Sequence, residues 1–281
     1  MKNEINKIIA KALSEDIGAR DITTASLISK SQTSEAKIIM KDHGVICGLE
    51  LAKKTFRKLD KSVKFYTRFK DGKHVQQGTV IATITGKTRA LLTGERVALN
   101  FLSYLSGIAT TTQKYVQKTR STKIKILDTR KTTPGLRFLE RYAVRCGGGI
   151  NHRFNLNSMV MIKDNHRSAC HPGLSIPGAI KKIRKQTKKL IEVEIDTLGQ
   201  LKLALKEKPD IILLDNMNIA RIKQAIKIVN QVKGRKPLLE ASGGITLNNI
   251  SPIAKTGVDR ISIGALTHSR QSVDVSMEII A

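Results

Sequence analysis

The second half of the chain carries short apolar runs at regular intervals, and that regularity constrains the fold more than any other feature. IKILD (124–128), SMVMI (158–162), IEVEI (191–195), IILLD (211–215), PLLE (237–240) and RISIG (260–264) read as strands. The last four begin about 20 to 26 residues apart, the length of one strand–helix unit. Helical patterns fill the gaps at 176–189, 198–208, 219–232 and 246–257. The runs are almost wholly apolar, as parallel strands buried on both faces are. The predicted architecture is α/β, an incomplete (β/α) TIM-like barrel with six visible strands.

The charges follow the same rhythm. Asp128-Thr-Arg-Lys, Lys163, Glu194, Asp215, Glu240-Ala-Ser-Gly-Gly and Gly264-Ala fall at or near strand C-terminal ends. In a barrel those ends converge on one mouth, where active sites sit. A charge that interrupts an apolar strand is costly unless it is paired or faces that mouth. One such residue reads as a satisfied core group; several in phase read as a site.

The first half is organised differently. Residues 4–14 have helical spacing, and SEDIGARDITT (14–24) reads as a loop with turn or cap chemistry. AKII (36–39), VIC (45–47) and VKFYTRF (63–69) read as strands, and LAKKTFRKL (51–59) as a helix. DGKHVQQGTVIATITG (71–86) resembles half of a biotinyl or lipoyl module but lacks the lysine in a second hairpin turn. It reads as a structural β segment. TGERVALNFLSYLSGIATTTQKYVQKT (93–119) is the strongest helix, with Thr93 as its cap and Arg96 in its first turn. A cation there opposes the helix dipole, which raises a functional or interface role for Arg96.

The formal net charge of +27 suggests phosphate neutralisation and hence nucleic acid. Against that, aromatics are only 4% and Trp is absent, so no stacking platform is expected. The lysines are spread along predicted helix faces and turns, as in KKIRKQTKK (181–189), KEK (206–208) and KGRK (233–236). A solvated basic surface that attracts acidic small molecules is the preferred reading, with no specific nucleic-acid partner. Cys47, Cys146 and Cys170 are odd in number and form no C-x-x-C, so neither a disulfide framework nor a cysteine zinc site is expected, as suits a cytoplasmic protein. No apolar run reaches membrane-spanning length.

The predicted mouth separates into subsites. Arg130, His152, Arg153 and Arg96 offer donors suited to carboxylates. Glu194 and Asp215 either hold a divalent cation such as Mg²⁺ or bind ribose hydroxyls. SGGI (242–245), leading into a helix from Thr246, makes a phosphate seat, and SIGALTH (262–268) is a second turn of that kind. Lys131 and Lys163 supply charge for a pyrophosphate. Phosphoribosyl transfer to an acidic acceptor uses all of these. No G-x-S-x-G or Walker A string is present.

DTRKTTPGLRFLERYAVRCGGGINHRF, IKDNH, IEVEIDTL, ILLDNM, LEASGGI and GALTHS together resemble the nicotinate-nucleotide pyrophosphorylase (carboxylating) family, also called quinolinate phosphoribosyltransferases. The resemblance runs from EDIGARDITT to the C-terminus. It implies an N-terminal α/β sandwich over residues 1–110, joined by 269–281, beside a catalytic barrel over 111–268. It implies transfer from phosphoribosyl pyrophosphate to quinolinate with loss of CO2, a Mg²⁺ cofactor, and a homodimer or a dimer of dimers. In it Arg96 looks like an arginine donated across the dimer to quinolinate. Arg130, His152 and Arg153, with Thr129, look like the other quinolinate ligands. Lys131 and Lys163 look like the lysines between quinolinate and pyrophosphate, and Glu194 and Asp215 like the ribose and Mg²⁺ carboxylates. Ser242, Gly243, Gly244, Gly264, Ala265, Leu266 and His268 look like the 5′-phosphate seat. The sequence departs from the family pattern at Arg20, Asn155, Ser158 and Ala241.

Overall fold

In chain order the secondary structure begins with α1 (Lys2–Ile17), α2 (Ile22–Leu27), β1 (Thr33–Met40), β2 (Gly44–Val45) and α3 (Leu49–Leu59). It continues with β3 (Lys64–Tyr66), β4 (His74–Val75), β5 (Val80–Lys87) and α4 (Thr88–Lys118). Then come β6 (Lys125–Leu127), α5 (Arg137–Cys146), β7 (Val160–Ile162), α6 (Asp164–Ser168), α7 (Ile176–Arg184) and β8 (Ile191–Ile195). The last elements are α8 (Leu198–Leu205), β9 (Ile211–Asp215), α9 (Ile219–Asn230), β10 (Leu238–Ser242), α10 (Ile250–Ala254), β11 (Arg260–Ser262), α11 (Ala265–His268) and β12 (Val275–Ile280). This computed structural model describes residues 2–269 and 271–280; Met1, Arg270 and Ala281 of the expected first domain lie outside the described residues.

The chain forms two compact units. One comprises Met1–Gln113, Phe138–Gly148 and Arg270–Ala281; the other comprises Lys114–Arg137 and Gly149–Ser269. Helix α5 thus belongs almost wholly to the first unit, although it lies within the span expected for the barrel.

In the first unit, an antiparallel sheet of order β12-β1-β5-β3 carries one buried face. Ile38 and Ile84 of that sheet share a core with Phe56 of α3 and with Leu91 and Leu102 of α4, all fully buried. The alternation of a strand and the helical repeat thus deliver their apolar residues to one layer. Truncating Phe56 would cost about 3–5 kcal/mol.

In the second unit six parallel strands run in the order β6-β11-β10-β9-β8-β7. That is the cyclic order of a barrel opened between β6 and β7. Beside β6, an isolated parallel bridge pairs Leu127 with Ile150. Ile211, Ile212, Leu213 and Leu214 are all buried, as expected for a strand covered on both faces. The register sets Asp215 beside Ser242 and Ser242 beside Ser262, so the strands end level.

Three local expectations change. The expected loop at 14–24 is helical at both ends: α1 runs on to Ile17, and α2 starts at Ile22 because Asp21 caps it, its Oδ1 accepting the Thr24 N–H at 2.9 Å. Helix α4 begins at Thr88, directly after β5, because buried Ala90 and Leu91 extend its apolar face upstream of Thr93. Thr93 is therefore no cap; its hydroxyl donates to Asp21 Oδ2 at 2.8 Å. Arg96 stands beyond the first turn, exposed, so the dipole gives no reason to single it out. Finally, α10 starts at Ile250 and not at Thr246, whose N–H is taken by Asn249 Oδ1 at 2.8 Å. The Ser242-Gly243-Gly244 turn does not run straight into a helix.

Among the described residues no helix is long and apolar enough to cross a membrane.

Candidate active site

The strand ends of the second unit surround a cavity of about 740 Å³. Thr129, Arg130, Lys131, His152, Arg153 and Lys163 line it, as do Glu194, Asp215, Ser242, Gly243, Gly244, Gly264, Ala265 and His268. Two predicted residues stand apart. Leu266 is fully buried and does not line the cavity. Arg96 belongs to the first unit.

The segment after β6 is built by its own polar side chains. Asp128 is fully buried and accepts the His152 backbone N–H through Oδ1 and the Asn151 amide through Oδ2, both at 2.6 Å. One carboxylate therefore fastens the Asn-His-Arg triplet to the end of β6. The Thr129 hydroxyl accepts the Lys131 backbone N–H at 3.1 Å, and buried Thr267 donates to the Lys131 carbonyl at 2.7 Å. Thr129 thus shapes the turn that presents Lys131. Thr267, one position before the predicted His268, was not singled out by its sequence.

The Arg153 guanidinium is held by the Met159 carbonyl at 3.2 Å and by Met161 Sδ at 3.5 Å. Burial, and then repulsion from Arg130, lowers its pKa. Two guanidiniums at one wall are an unfavourable pairing that an acid would relieve. The departures at Asn155 and Ser158 close their own turn, with the Ser158 hydroxyl donating to Asn155 Oδ1 at 2.7 Å.

Side chains on a strand alternate between faces, so residues two apart share one side. Glu194 follows Glu192 in this way, Ser242 follows Glu240, and Ser262 follows Arg260. The members nearer the strand ends form the mouth, and the others form a buried layer beneath it. Arg260 Nε donates to Glu240 Oε2 at 2.5 Å. His152 Nε2 lies 3.1 Å from Glu192 Oε2 and 3.4 Å from Glu240 Oε1. Glu192 and Glu240 are fully buried. Burial raises the Glu192 pKa; for Glu240 burial is outweighed by His152 and Arg260, and its pKa is lowered. Burial also resists charging His152, but the two glutamates prevail and push its pKa up to about 9. In the neutral ring Nδ1 accepts the Arg153 N–H at 2.8 Å and Nε2 carries the proton. A second proton on the ring displaces that contact.

The three donors of His152, Glu192 and Glu240 lie within 4.8 Å of one another, as metal ligands do. Arg260 already offsets one of the two glutamate charges, and His152 offsets the other when its ring is protonated. They read as an ionic floor. The sequence contained its signal: Glu192 stands two residues before Glu194 in one apolar strand.

At the mouth, Lys163 Nζ donates to Glu194 Oε2 at 2.5 Å. Asp215 Oδ2 accepts the Asn216 side-chain amide at 2.9 Å. Each carboxylate keeps a second oxygen, and both face the open cavity. Asn216 adopts a left-handed conformation with φ 51°, and its N–H donates to the Ser242 carbonyl at 2.8 Å. Gly243, at φ 91°, packs so closely that a Cβ there would meet Asn216 Oδ1 at 2.2 Å. Only glycine fits. A Cβ at Gly264 would come within 3.0 Å of the His268 ring and 3.1 Å of Lys131 Cδ. The two glycine turns thus border the same lysine that Thr129 and Thr267 hold.

Comparison with known proteins gives one consistent result. Residues 21–106 match the family model described as quinolinate phosphoribosyl transferase, N-terminal domain, and residues 108–278 match its C-terminal domain. A Bacillus subtilis (strain 168) relative, named probable nicotinate-nucleotide pyrophosphorylase (carboxylating), is 44% identical over 98% of this chain and 93% of its own length. Quinolinate phosphoribosyltransferase (decarboxylating) 1 of Nicotiana glauca is 37% identical over 98% of this chain and 82% of its own. The crystal structure of NadC from Streptococcus pyogenes superposes with a TM-score of 0.94 at 39% identity, covering 100% of this chain and 98% of that one.

Proposed function

This chain belongs to the quinolinate phosphoribosyltransferase family, and on that premise we propose how its cavity divides the work. The enzyme transfers the phosphoribosyl group of phosphoribosyl pyrophosphate to quinolinate with decarboxylation, giving nicotinate mononucleotide, pyrophosphate and CO2 for NAD biosynthesis.

Arg130 and Arg153 grip the two quinolinate carboxylates and aim the ring nitrogen at the ribose C1, while His152, expected as a third ligand, has both ring nitrogens turned to the Arg153 N–H and the two glutamates and supports them from the floor. Lys131 and Lys163 stand against the pyrophosphate as it leaves and stabilise the charge that develops on it. To do so Lys163 exchanges Glu194 for the substrate. Glu194 and Asp215 accept ribose hydroxyls or would hold Mg²⁺. Two free carboxylate oxygens at an open mouth suit a cation that takes one or two protein carboxylates and fills its shell with phosphate and water. When bound, Mg²⁺ would neutralise phosphate charge. The Ser242-Gly243-Gly244 turn and the Gly264, Ala265 turn, with His268, receive the 5′-phosphate; Leu266 contributes backbone only.

The C1–O bond to pyrophosphate breaks as the ring nitrogen bonds to C1. That nitrogen is then cationic and draws the electron pair of the adjacent carbon–carboxylate bond, releasing CO2. A proton from solvent replaces it, and no dedicated base is needed. The enzyme acts in the cytoplasm as a homodimer or dimer of dimers, with Arg96 reaching the quinolinate of a second copy.

The observation that carries this division is the lining of one cavity by every candidate of the second unit except Leu266. The test is formation of nicotinate mononucleotide and CO2 from quinolinate and phosphoribosyl pyrophosphate, with nicotinate as the control acceptor. Turnover with quinolinate alone is expected, and Arg130→Ala abolishes it. Equal use of nicotinate, or near-normal turnover in Arg130→Ala, would overturn the assignment of the arginines.

A further inference from the structure

The first unit holds a second cluster, none of whose residues lines the cavity described above. Cys47 follows β2 and Cys146 ends α5, far apart in sequence, so no C-x-x-C spacing announces them. Folding brings one donor atom from each of Cys47, Asp71 and Cys146 within 4.8 Å of one another. Both thiols are free.

The surroundings are built and asymmetric. Cys47 is wholly buried, with its backbone N–H on Ser106 Oγ at 2.9 Å, whereas Cys146 is partly exposed. Asp71 is oriented by the Leu49 N–H at 3.2 Å and the Tyr142 hydroxyl at 2.7 Å, one on each oxygen. Gly72, at φ 93°, passes so close that a Cβ there would sit 3.3 Å from the Cys146 carbonyl. A hydrogen bond from Cys47 holds the Cys146 thiol below its usual range, while burial pushes the Cys47 thiol up. One sulfur is thus the accessible, more readily ionised nucleophile, and the other is a screened neighbour within reach. A soft metal would find two sulfurs, but its only oxygen ligand already accepts hydrogen bonds on both atoms.

We propose that Cys146 and Cys47 are a hydroperoxide-sensitive thiol pair, Cys146 being the sulfur attacked and Cys47 the sulfur that resolves it. The Cys146 thiolate attacks one oxygen of the hydroperoxide. The O–O bond breaks, the attacked OH oxygen stays on sulfur so that Cys146 becomes a sulfenic acid, and the other oxygen leaves with a proton as water or alcohol. The Cys47 sulfur then attacks the Cys146 sulfur. An S–S bond forms, the S–O bond breaks, and the hydroxide leaves as water with the Cys47 proton. Two thiols lose two electrons, and the peroxide is reduced by two. The product ties the end of α5 to the β2–α3 connection, just ahead of the glycine run at 147–149. This inference does not rest on the activity reading above.

The test treats the whole enzyme with hydrogen peroxide, alkylates the remaining thiols and maps the peptides by mass. The expected result is a Cys47–Cys146 crosslink lighter by two hydrogens and opened by a dithiol, with Cys170 still alkylatable. Cys146→Ser removes the crosslink. Cys47→Ala, an apolar replacement suited to the buried position, stops the reaction at a Cys146 sulfenic acid that a cyclic dione traps. Thermal melts confirm that both variants are folded. The proposal is overturned if both thiols stay alkylatable in peroxide that oxidises free glutathione, or if the crosslink runs to Cys170. A Cys47→Ala protein with no trappable Cys146 also overturns it. So does retention of zinc, added alone, at one ion per chain after dialysis with protection of both thiols.

Discussion

The two ends of the six-stranded sheet use acids in opposite ways. At the N-terminal ends, Asp210 lies just before β9 and accepts the Ile191 N–H, Arg184 and Arg235, each at 2.9 Å. Asp259, just before β11, accepts the Leu239 N–H at 2.7 Å. Each clips the start of the preceding strand in chain order. At the C-terminal ends, Glu194 is met by a lysine amine and Asp215 by a neighbouring amide. Acids whose oxygens are consumed by backbone N–H and guanidinium groups hold the sheet. Acids with one exchangeable partner can take a substrate. The buried layer of Glu192, Glu240, Arg260 and His152 lies between these regimes, paired by charge yet with Glu192 and one Glu240 oxygen lacking hydrogen-bond donors, and it forms the floor of the mouth.

That contrast is open to attack by substitution. The largest effect is expected in the buried layer: Glu240→Ala strands Arg260 and leaves His152 with Glu192 alone, and should cost about 3–5 kcal/mol in chemical denaturation. A loss below about 1 kcal/mol would show that the layer is not an ion network. At the mouth, Lys131→Ala should lower quinolinate-dependent CO2 release by about 10²–10³-fold with its melting temperature within about 2 °C of wild type. A large fall in stability instead would move Lys131 to the structural side of the comparison.

At the base, the signs reverse. Asp210→Ala should cost about 2 kcal/mol of stability and leave the quinolinate KM unchanged. Burial opposes the charge on Asp210, but the Ile191 N–H and the two arginines outweigh it and hold its pKa below the usual range. Its stabilisation is therefore complete above the ordinary carboxylate pKa and disappears as pH falls through the depressed folded value. The stability gap between wild type and Asp210→Ala should narrow below about pH 4, and a gap that widens there would contradict the assignment. The smallest effect is Asp259→Ala, about 1 kcal/mol, because a single backbone N–H is lost from an exposed residue.

Sequence reasoning reached the mouth and missed the base for a physical reason. Glu194, Asp215 and the Ser242-Gly243-Gly244 turn interrupt or follow apolar runs, so position alone marks them. Asp210 and Asp259 precede their strands, where an acid looks like ordinary loop chemistry until the partner strand is known. Glu192 and Glu240 were visible as charges, but their closure on His152 depends on which strands are neighbours. Thr267 and Asn216 act on backbone groups of other segments, which no periodicity reports. Arg96 shows the opposite error: its supposed place in a first turn depended on a helix start that Ala90 and Leu91 move upstream.

The fit of Gly243 against Asn216 has a consequence for anyone wishing to redesign this enzyme. The turn proposed for phosphate and the residue beside Asp215 form a single interlocked part. A library that randomises position 243 alone would return almost nothing but glycine. Randomising position 216 with it would not lift that restriction, because the φ of 91° at 243 and the Asn216 backbone nitrogen, 3.0 Å from an added Cβ, remain whatever side chain stands at 216. Changing how the enzyme reads its sugar donor therefore falls to other positions of the mouth, with this turn kept as their fixed frame.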